Sequence, residues 1–232
     1  MNSNSYFVGI DGCKNGWIGI YNFNDNFDKS KIIFKNEISE IISFFPSNSL
    51  FLIDMPIFLS NKEYARKCDV EAKNFLGKRR SSIFLAPCFQ ALKTKNYSDA
   101  NKVNKKITSL GLSKQSWNLF EKIKEVQKLN SKIQIFEGHP ECSFTFYNKK
   151  EMDFKKSSVK GQFSRLKILD EIGFNVIELA EKLPSDVIAK ADDLIDAAIL
   201  CWSAYRLKKD IALEFPKQTE INFKNQKMSI FY

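Results

Sequence analysis

The chain has 232 residues, of which 44% are apolar and 13% aromatic, and it carries a net charge of +9 at pH 7. This length and composition allow a sizeable buried core, while five scattered cysteines without a C-x-x-C pair exclude a disulfide framework and a zinc knuckle. No apolar run approaches the roughly 18 residues that span a bilayer, and the N-terminus lacks a signal-peptide pattern. We therefore expect a single domain over residues 1–232 in the reducing cytoplasm.

The first quarter of the chain predicts β-strands joined by short turns. We predict strands at about residues 5–11, 17–23 and 31–35, and then a helix over NEISEIISFF, where isoleucines recur at helical spacing. The apolar run LFLIDMP that follows predicts a fourth strand buried on both faces, as in a parallel sheet. Three strands joined by turns and a fourth reached through a helix predict a mixed sheet with one crossover.

The middle of the chain is more helical and more basic. Residues 60–130 contain EYARKCDVEAKNFLGKRR, a polar stretch around KTKNYSDANKVNKK, and the amphipathic segment SKQSWNLFEKIKEVQKL, which Ser113 or Ser116 can cap. We predict that this region forms a helical insertion on the sheet and presents Arg66 and a basic run to the substrate. The basic run and the hydroxyls beside it can bind phosphates: Lys78, Arg79, Arg80, Ser81 and Ser82. A solvated loop on a basic protein is the alternative interpretation.

The last part of the chain predicts a fifth strand, KIQIFE, followed by GHPE, a helix near 161–173, a short strand at NVIEL and a long helix over about 185–208. These elements complete an α/β fold. Its five-stranded sheet has the predicted order 3-2-1-4-5, with strand 2 antiparallel and helices on both faces.

Carboxylates stand where the predicted strands end. Asp11 ends the first strand, Asp54 the fourth and Glu137 the fifth. The carboxyl ends of parallel strands share one edge, where ligands bind in open α/β sheets, so these acids are expected to converge. Taken alone, Asp11 and Asp54 fit simple turns equally well.

The last predicted helix carries three further acids in an apolar setting. Asp193 and Asp196 are three positions apart, and Asp192 and Asp196 are four apart, so they share a helical face and repel one another. An exposed acidic first turn, favoured by the helix dipole, is the alternative. Acids at strand ends and on a packing helix are nevertheless the ligands that Mg²⁺ or Mn²⁺ requires, and paired ions of this kind support phosphoryl displacement.

Two further residues are candidates near these acids. His139 is the single histidine and lies between Glu137 and Glu141; it suits a general base, although a histidine beside a proline is commonly structural. Lys14 follows Asp11 in a glycine-flanked turn and is placed to meet a phosphate. The net positive charge fits a nucleic-acid partner, but a lysine- and asparagine-rich composition also explains it.

Six segments occur in order over residues 6–205: GIDGCKNGW, IDMP, RKCDVEAKNFLGKRRSSIF, LSKQSWNLFEKIKEV, EGHPE and DDLIDA. In this order they resemble domain-of-unknown-function family 429, whose members are described as predicted nucleases with an RNase H-like fold. The D-x-x-D-A ending of the last segment is also similar to Holliday-junction resolvases of that fold class. The resemblance implies metal binding by Asp11, Asp54, Asp193 and Asp196, and the E-x-H-P-E segment departs from the resolvase pattern.

The sequence therefore predicts a nuclease that uses Mg²⁺ or Mn²⁺ on DNA or RNA, with Glu137 as an additional ligand or water-orienting group. A nucleotide-binding phosphotransferase of the actin and sugar-kinase type shares the sheet order and an Asp-Gly after its first strand. That alternative requires a second glycine-rich phosphate hairpin, and a chain with nine glycines has few residues with which to form one. A third alternative, a binding module without turnover, predicts the loss of the acids, which are present here.

Overall fold

The computed structural model of the protein describes residues 5–129 and 133–232. The chain divides into two compact units. The first contains the described residues of Met1–Asp54, Leu129–Leu213 and Phe231–Tyr232, and the second contains Met55–Lys128 and Glu214–Ile230. Most of the predicted insertion over 60–130 belongs to the second unit, and the single-domain prediction stays a prediction.

A mixed five-stranded sheet forms the centre of the first unit. Its strands are β1 (Phe7–Cys13), β2 (Gly16–Asn22), β3 (Lys31–Lys35), β4 (Leu50–Ile53) and β5 (Gln134–Glu137). The strand order is β3-β2-β1-β4-β5. Strand β2 is antiparallel to β1 and to β3, whereas β4 is parallel to β1 and to β5. This order and these directions confirm the predicted fold class.

Helices in the described part of the chain follow in sequence order: α1 (Ile38–Phe44), α2 (Lys67–Phe75), α3 (Tyr97–Thr108), α4 (Lys114–Asn118), α5 (Phe120–Gln127), α6 (Pro140–Asn148), α7 (Val159–Ile172), α8 (Val176–Glu181) and α9 (Ala191–Lys208). Shorter 3₁₀ turns lie at Phe27–Lys29, Gly77–Ser82 and Ala91–Lys93. Two short strands, β6 (Glu214–Phe215) and β7 (Ile230–Phe231), form a second small sheet. In these described residues, no helix has both the length and the apolar character needed to cross a membrane.

Helices cover both faces of the sheet. Helix α9 packs on β1, β2 and β4, and helix α1 packs on β2 and β3. Side chains alternate between the two faces along each strand, so the core divides into two layers. The layer beneath α9 contains Phe7, Ile20 and Leu52, while Gly19 faces Ile41 of α1 on the other side.

Gly9 allows α9 to lie directly against β1. A Cβ atom at this position would be 2.1 Å from the backbone nitrogen of Cys201 and 2.3 Å from the carbonyl oxygen of Ala197. The Cys201 thiol is also close to the carbonyl oxygen of Phe7, at 3.8 Å. The helix therefore runs antiparallel to β1, and its first turns lie over the carboxyl end of that strand.

Two predictions about the C-terminal part of the chain are wrong. The segment NVIEL forms helix α8 and not a strand, because the Asn175 side chain accepts a hydrogen bond from the Glu178 backbone nitrogen and starts a helical turn. The last helix begins at Ala191 and not near residue 185. Its start is fixed by Asp193, whose side chain accepts a hydrogen bond of 2.9 Å from the Lys190 backbone nitrogen.

Two helices were not predicted from the sequence. Helix α3 lies within the polar stretch and is capped by Asn96, whose side chain accepts a bond from the Asp99 backbone nitrogen at 2.9 Å. Helix α6 begins at Pro140, in the GHPE segment, where proline suits the first helical position. The predicted cap of the amphipathic segment is confirmed, since Ser113 accepts a bond from the Ser116 backbone nitrogen at the start of α4.

Candidate metal centre

Three buried or half-buried aspartates of the first unit converge at the carboxyl edge of the sheet. Asp11 lies in β1, Asp54 follows β4 directly, and Asp196 lies in the second turn of α9. Each contributes one carboxylate oxygen to a group in which all the oxygens lie within 4.8 Å of one another. Three acids from distant parts of the chain thus form a cluster of the size that one hard divalent cation requires.

Strand geometry explains why Asp11 and Asp54 meet. The two residues continue the parallel register of β1 and β4, and the Asp54 backbone nitrogen donates to the carbonyl oxygen of Ile10 at 3.0 Å. Asp11 is two residues beyond Gly9, and Asp54 is two residues beyond Leu52, so both point to the face covered by α9. Helix α9 supplies the third acid from above that face.

Burial changes the protonation of these carboxyl groups. Desolvation raises the pKa of Asp11 well above its ordinary value, and the neighbouring Asp54 and Asp196 raise it further. Desolvation likewise raises the pKa of Asp54 and of Asp196 to about 6, although Lys156 opposes the rise in both. Without a cation, the fully charged cluster is therefore unfavourable.

Among the described residues, Lys156 is the basic residue that forms a direct ion pair with the cluster. Its Nζ atom lies 2.6 Å from Oδ2 of Asp196, and 43% of its side chain is exposed. Burial lowers the pKa of Lys156, but attraction by Asp196, Asp54 and Asp11 outweighs this and raises it above its usual value. No sequence pattern pointed to this residue, because it is one of 36 basic residues and lies in an irregular segment.

Asp193, predicted as the fourth ligand, lies outside the group of three. Its side chain is half-buried and bonds to the Lys190 backbone, as described above, so it caps α9. Burial raises the pKa of Asp193, as it does for the clustered acids. Asp192, in the same turn, is half-buried and also stands outside the group.

Glu137 does not join the cluster, contrary to the prediction that it is an additional ligand. It pairs directly with Ile53 in the parallel register of β4 and β5, so its side chain shares the face of Ile53. Side chains alternate along a strand, so this face is opposite to the face of Asp54, which directly follows Ile53. His139 occupies the cap position of α6 and is also outside the group.

Glu141 has a structural partner. Both of its carboxylate oxygens accept bonds from the Arg165 guanidinium, at 2.6 and 2.7 Å, and both side chains are buried. Arg165 also donates to the carbonyl oxygens of Phe154 and Gly161, at 3.3 and 2.8 Å. The pair therefore ties α6 to α7 and to the segment that carries Lys156.

Arg66 is not available to a substrate, in contrast to the prediction. It is 3% exposed, and its guanidinium donates two bonds to Asp69, at 2.5 and 3.2 Å, and one to the carbonyl oxygen of Phe58 at 3.0 Å. Asp69 accepts a further bond from the Ala86 backbone nitrogen. These bonds connect separate segments of the second unit, and breaking such a buried ion pair is costly. The RKCD segment therefore has a structural role within that unit.

The other predicted substrate-binding residues lie at the surface of their own units. Lys14 is exposed in the turn between β1 and β2 of the first unit. The predicted basic run forms the 3₁₀ turn Gly77–Ser82 of the second unit, in which Lys78, Arg80 and Ser81 are exposed and Arg79 and Ser82 are half-buried. Phosphate binding by these residues stays a prediction.

Comparison with known proteins identifies the family of this chain. A family profile described as "Protein of unknown function (DUF429)" matches residues 9–221. The chain belongs to this family. No curated protein and no solved structure matches the chain. The matched region contains all three clustered aspartates and Lys156, and the family description assigns no activity to them.

The cluster fits a hard divalent cation in its donor chemistry. All of its three ligand groups are carboxylates, it contains no thiolate, and its oxygens are close enough for one ion to contact them together. An ion at this position would compensate the repulsion that raises the pKa values of the three acids. Mg²⁺ and Mn²⁺ satisfy these requirements equally.

Proposed function

We propose that this protein is a metal-dependent nuclease that hydrolyses phosphodiester bonds of DNA or RNA. The observation that carries the proposal is the convergence of Asp11, Asp54 and Asp196 at the carboxyl edge of a mixed sheet. Carboxylates in this arrangement suit phosphoryl transfer in which metal ions supply the electrostatics. The basic net charge of +9 favours a polyanionic substrate.

In this proposal, Asp11, Asp54 and Asp196 would hold Mg²⁺ or Mn²⁺. The bound cation would supply charge stabilisation at the phosphorus and lower the pKa of the attacking water. The chain's own contribution is positional: β1 and β4 fix two carboxylates side by side, and α9 fixes the third above them. A rigid set of ligands on strands and a helix keeps this geometry better than loops would.

A cytoplasmic location is part of the proposal. All five cysteines lie in the described part of the chain, where none of them forms a disulfide and all are buried. Free thiols are typical of reducing compartments, where disulfides are rare.

The first test is a cleavage assay with Asp11→Asn. The substitution keeps the side-chain volume and removes one ligand charge, so we expect cleavage to fall by at least about 10²-fold while the fold persists. Wild type and variant are incubated with labelled single-stranded, duplex and branched DNA and with RNA, in Mg²⁺, in Mn²⁺ and in EDTA.

Asp170→Asn is the matched control, because Asp170 is exposed on α7 and outside the cluster. We expect it to cleave like wild type. Wild-type protein that binds metal and cleaves none of these substrates would rule out the nuclease proposal, and so would cleavage that persists in both Asp11→Asn and EDTA.

A further inference from the structure

Lys156 places a positive charge inside the carboxylate cluster. Its ammonium group is 2.6 Å from Asp196, a residue 40 positions later in the chain. Three carboxylates and one ammonium leave two uncompensated negative charges, which equal the charge of one divalent cation. The lysine therefore neutralises part of the site before any metal arrives.

The Asp196 carboxylate would have to serve both the metal ion and Lys156. A Mg²⁺ ion binds carboxylate oxygens at about 2.0–2.1 Å. If the ion binds Oδ2, the oxygen that Lys156 contacts at 2.6 Å, the ammonium would lie within about 4.7 Å of the ion, and two positive charges this close repel strongly in a partly buried setting. Metal binding and the Lys156–Asp196 ion pair thus compete for the same carboxylate.

The backbone around Lys156 is anchored, whereas its side chain has room to move. Arg165 holds the carbonyl oxygen of Phe154, and Ser158 caps α7 by accepting a bond from the Gly161 backbone nitrogen at 3.1 Å. Between these anchors, Lys156 lies in an irregular turn with 43% of its side chain exposed. The ammonium can therefore leave the cluster by rotation of its own side chain.

We propose that Lys156 is a tethered counter-ion of the metal centre: it holds the three carboxylates together in the metal-free protein and must be displaced from Asp196 when a divalent cation binds. This inference rests on the proposed function only for the existence of the metal site, and not for its substrate. By competing for Asp196, the lysine lowers the affinity of the site for the cation.

The test is a calorimetric titration of Mn²⁺ into the full chain, compared between wild type and Lys156→Met. Methionine keeps an unbranched apolar stem and removes the competing charge, so we expect Mn²⁺ to bind at least about tenfold more tightly. Lys156→Gln, which keeps a hydrogen-bond donor without the charge, should change the affinity in the same direction. Near-ultraviolet circular dichroism confirms that each variant is folded.

Lys155→Met is the matched control, because Lys155 is the adjacent, exposed lysine and its loss changes the net charge equally. We expect its Mn²⁺ affinity to stay within about twofold of wild type, since exposed charges are screened. Equal affinity in wild type and in both Lys156 variants would overturn the counter-ion proposal, and so would equal tightening in the Lys155 control.

The titration distinguishes failure of the metal-site proposal from failure of the counter-ion proposal. Absence of Mn²⁺ binding by wild type and by both Lys156 variants would overturn both proposals, because there would be no site to compete for. Mn²⁺ binding by wild type with tighter binding by the Lys156 variants supports the counter-ion, whether or not any nucleic acid is cleaved. Cleavage by wild type with unchanged Mn²⁺ affinity in the variants would overturn the counter-ion alone.

Discussion

Asp54 illustrates how position alone changes the chemistry of a carboxyl group. Burial at the end of β4 raises its pKa from 3.8 to about 6, even though Lys156 opposes the rise. In the unfolded chain the same group titrates near its ordinary value. Between about pH 4 and pH 6 the folded protein therefore holds a proton that the unfolded chain releases, and raising the pH removes a stabilising contribution.

Ionisation of Asp54 should therefore lower the free energy of unfolding of the metal-free protein as the pH rises from 4 to 7. We expect Asp54→Asn to become more stable relative to wild type over this interval, by about 1–3 kcal/mol, because the amide never has to ionise in the buried site. Urea unfolding in EDTA at pH 4, 5, 6 and 7 measures the difference.

The exposed Asp170 provides the comparison for this pH dependence. Asp170→Asn removes an exposed carboxyl group of α7 outside the cluster, and we expect its free energy of unfolding to stay within about 0.5 kcal/mol of wild type at each pH. A difference between Asp54→Asn and wild type that shrinks with rising pH would show that the sign of this argument is wrong.

At the scale of elements, the site depends on how closely α9 approaches β1. A Cβ atom at residue 9 would lie 2.1 and 2.3 Å from two backbone atoms of α9, which cannot rotate away as a side chain can. Asp196 directly precedes Ala197, whose carbonyl oxygen is part of this contact. A displacement of α9 away from β1 would therefore move the Asp196 carboxylate away from Asp11. The glycine in the first strand is thus a requirement of the metal centre as well as of the core.

Gly9→Ala should therefore damage stability and metal binding together. We expect a loss of at least about 3 kcal/mol, at the upper end of overpacking effects, because the clash is with backbone. We also expect any folded fraction to bind Mn²⁺ more weakly than wild type. Urea denaturation and Mn²⁺ calorimetry measure the two effects.

Gly111→Ala tests whether the effect is specific to the contact with α9. Its Cβ would meet only the Asn101 side chain, at 3.7 Å, which is an ordinary contact distance. We expect its stability to remain within about 1 kcal/mol of wild type. A cost at Gly111 as large as that at Gly9 would contradict the close-approach argument.

The pattern of strands predicted much of this site from sequence. Asp11 and Asp54 follow continuous apolar runs, and the rule that parallel carboxyl ends share an edge brings them together. The same rule placed Glu137 at the edge but not on the correct face, because face depends on register, and a shift of one residue reverses it. Lys156 follows no periodic pattern, so its approach to Asp196 depends on tertiary packing of α7 and α9.

Local hydrogen bonds explain the errors in secondary structure. NVIEL has the β-branched residues of a strand, but Asn175 starts a helix by accepting a backbone bond, and the segment places only Leu179 in the core. Arg66 looked like a substrate ligand because its charge is visible in the sequence, but Asp69 lies three residues later and forms a buried ion pair with it. Propensity and charge are weak guides where side-chain hydrogen bonds decide.

For the molecule as a whole, the carboxylate cluster stores repulsion that a ligand can relieve. Any cation that binds the folded chain and not the unfolded one raises the free energy of unfolding, by about 2.7 kcal/mol at one hundred times its dissociation constant. For a chain of this size, that corresponds to a rise in Tm of roughly 5–10 °C. The metal centre should thus be visible in stability before any substrate is known.

Mn²⁺ should raise the Tm of wild type in the absence of nucleic acid, and Asp11→Asn should remove most of this rise. The pKa of Asp11 is raised by burial and by three neighbouring carboxylates, so a neutral amide at this position relieves desolvation and repulsion together. We therefore expect the metal-free variant at pH 7.5 to melt above metal-free wild type, and the order of the two to reverse when Mn²⁺ is saturating for wild type. Differential scanning calorimetry in EDTA and in Mn²⁺ gives all four Tm values. A variant that melts below wild type in EDTA, or one that keeps the full Mn²⁺ shift, would show that Asp11 is an ordinary structural acid and not a ligand held ready for a cation.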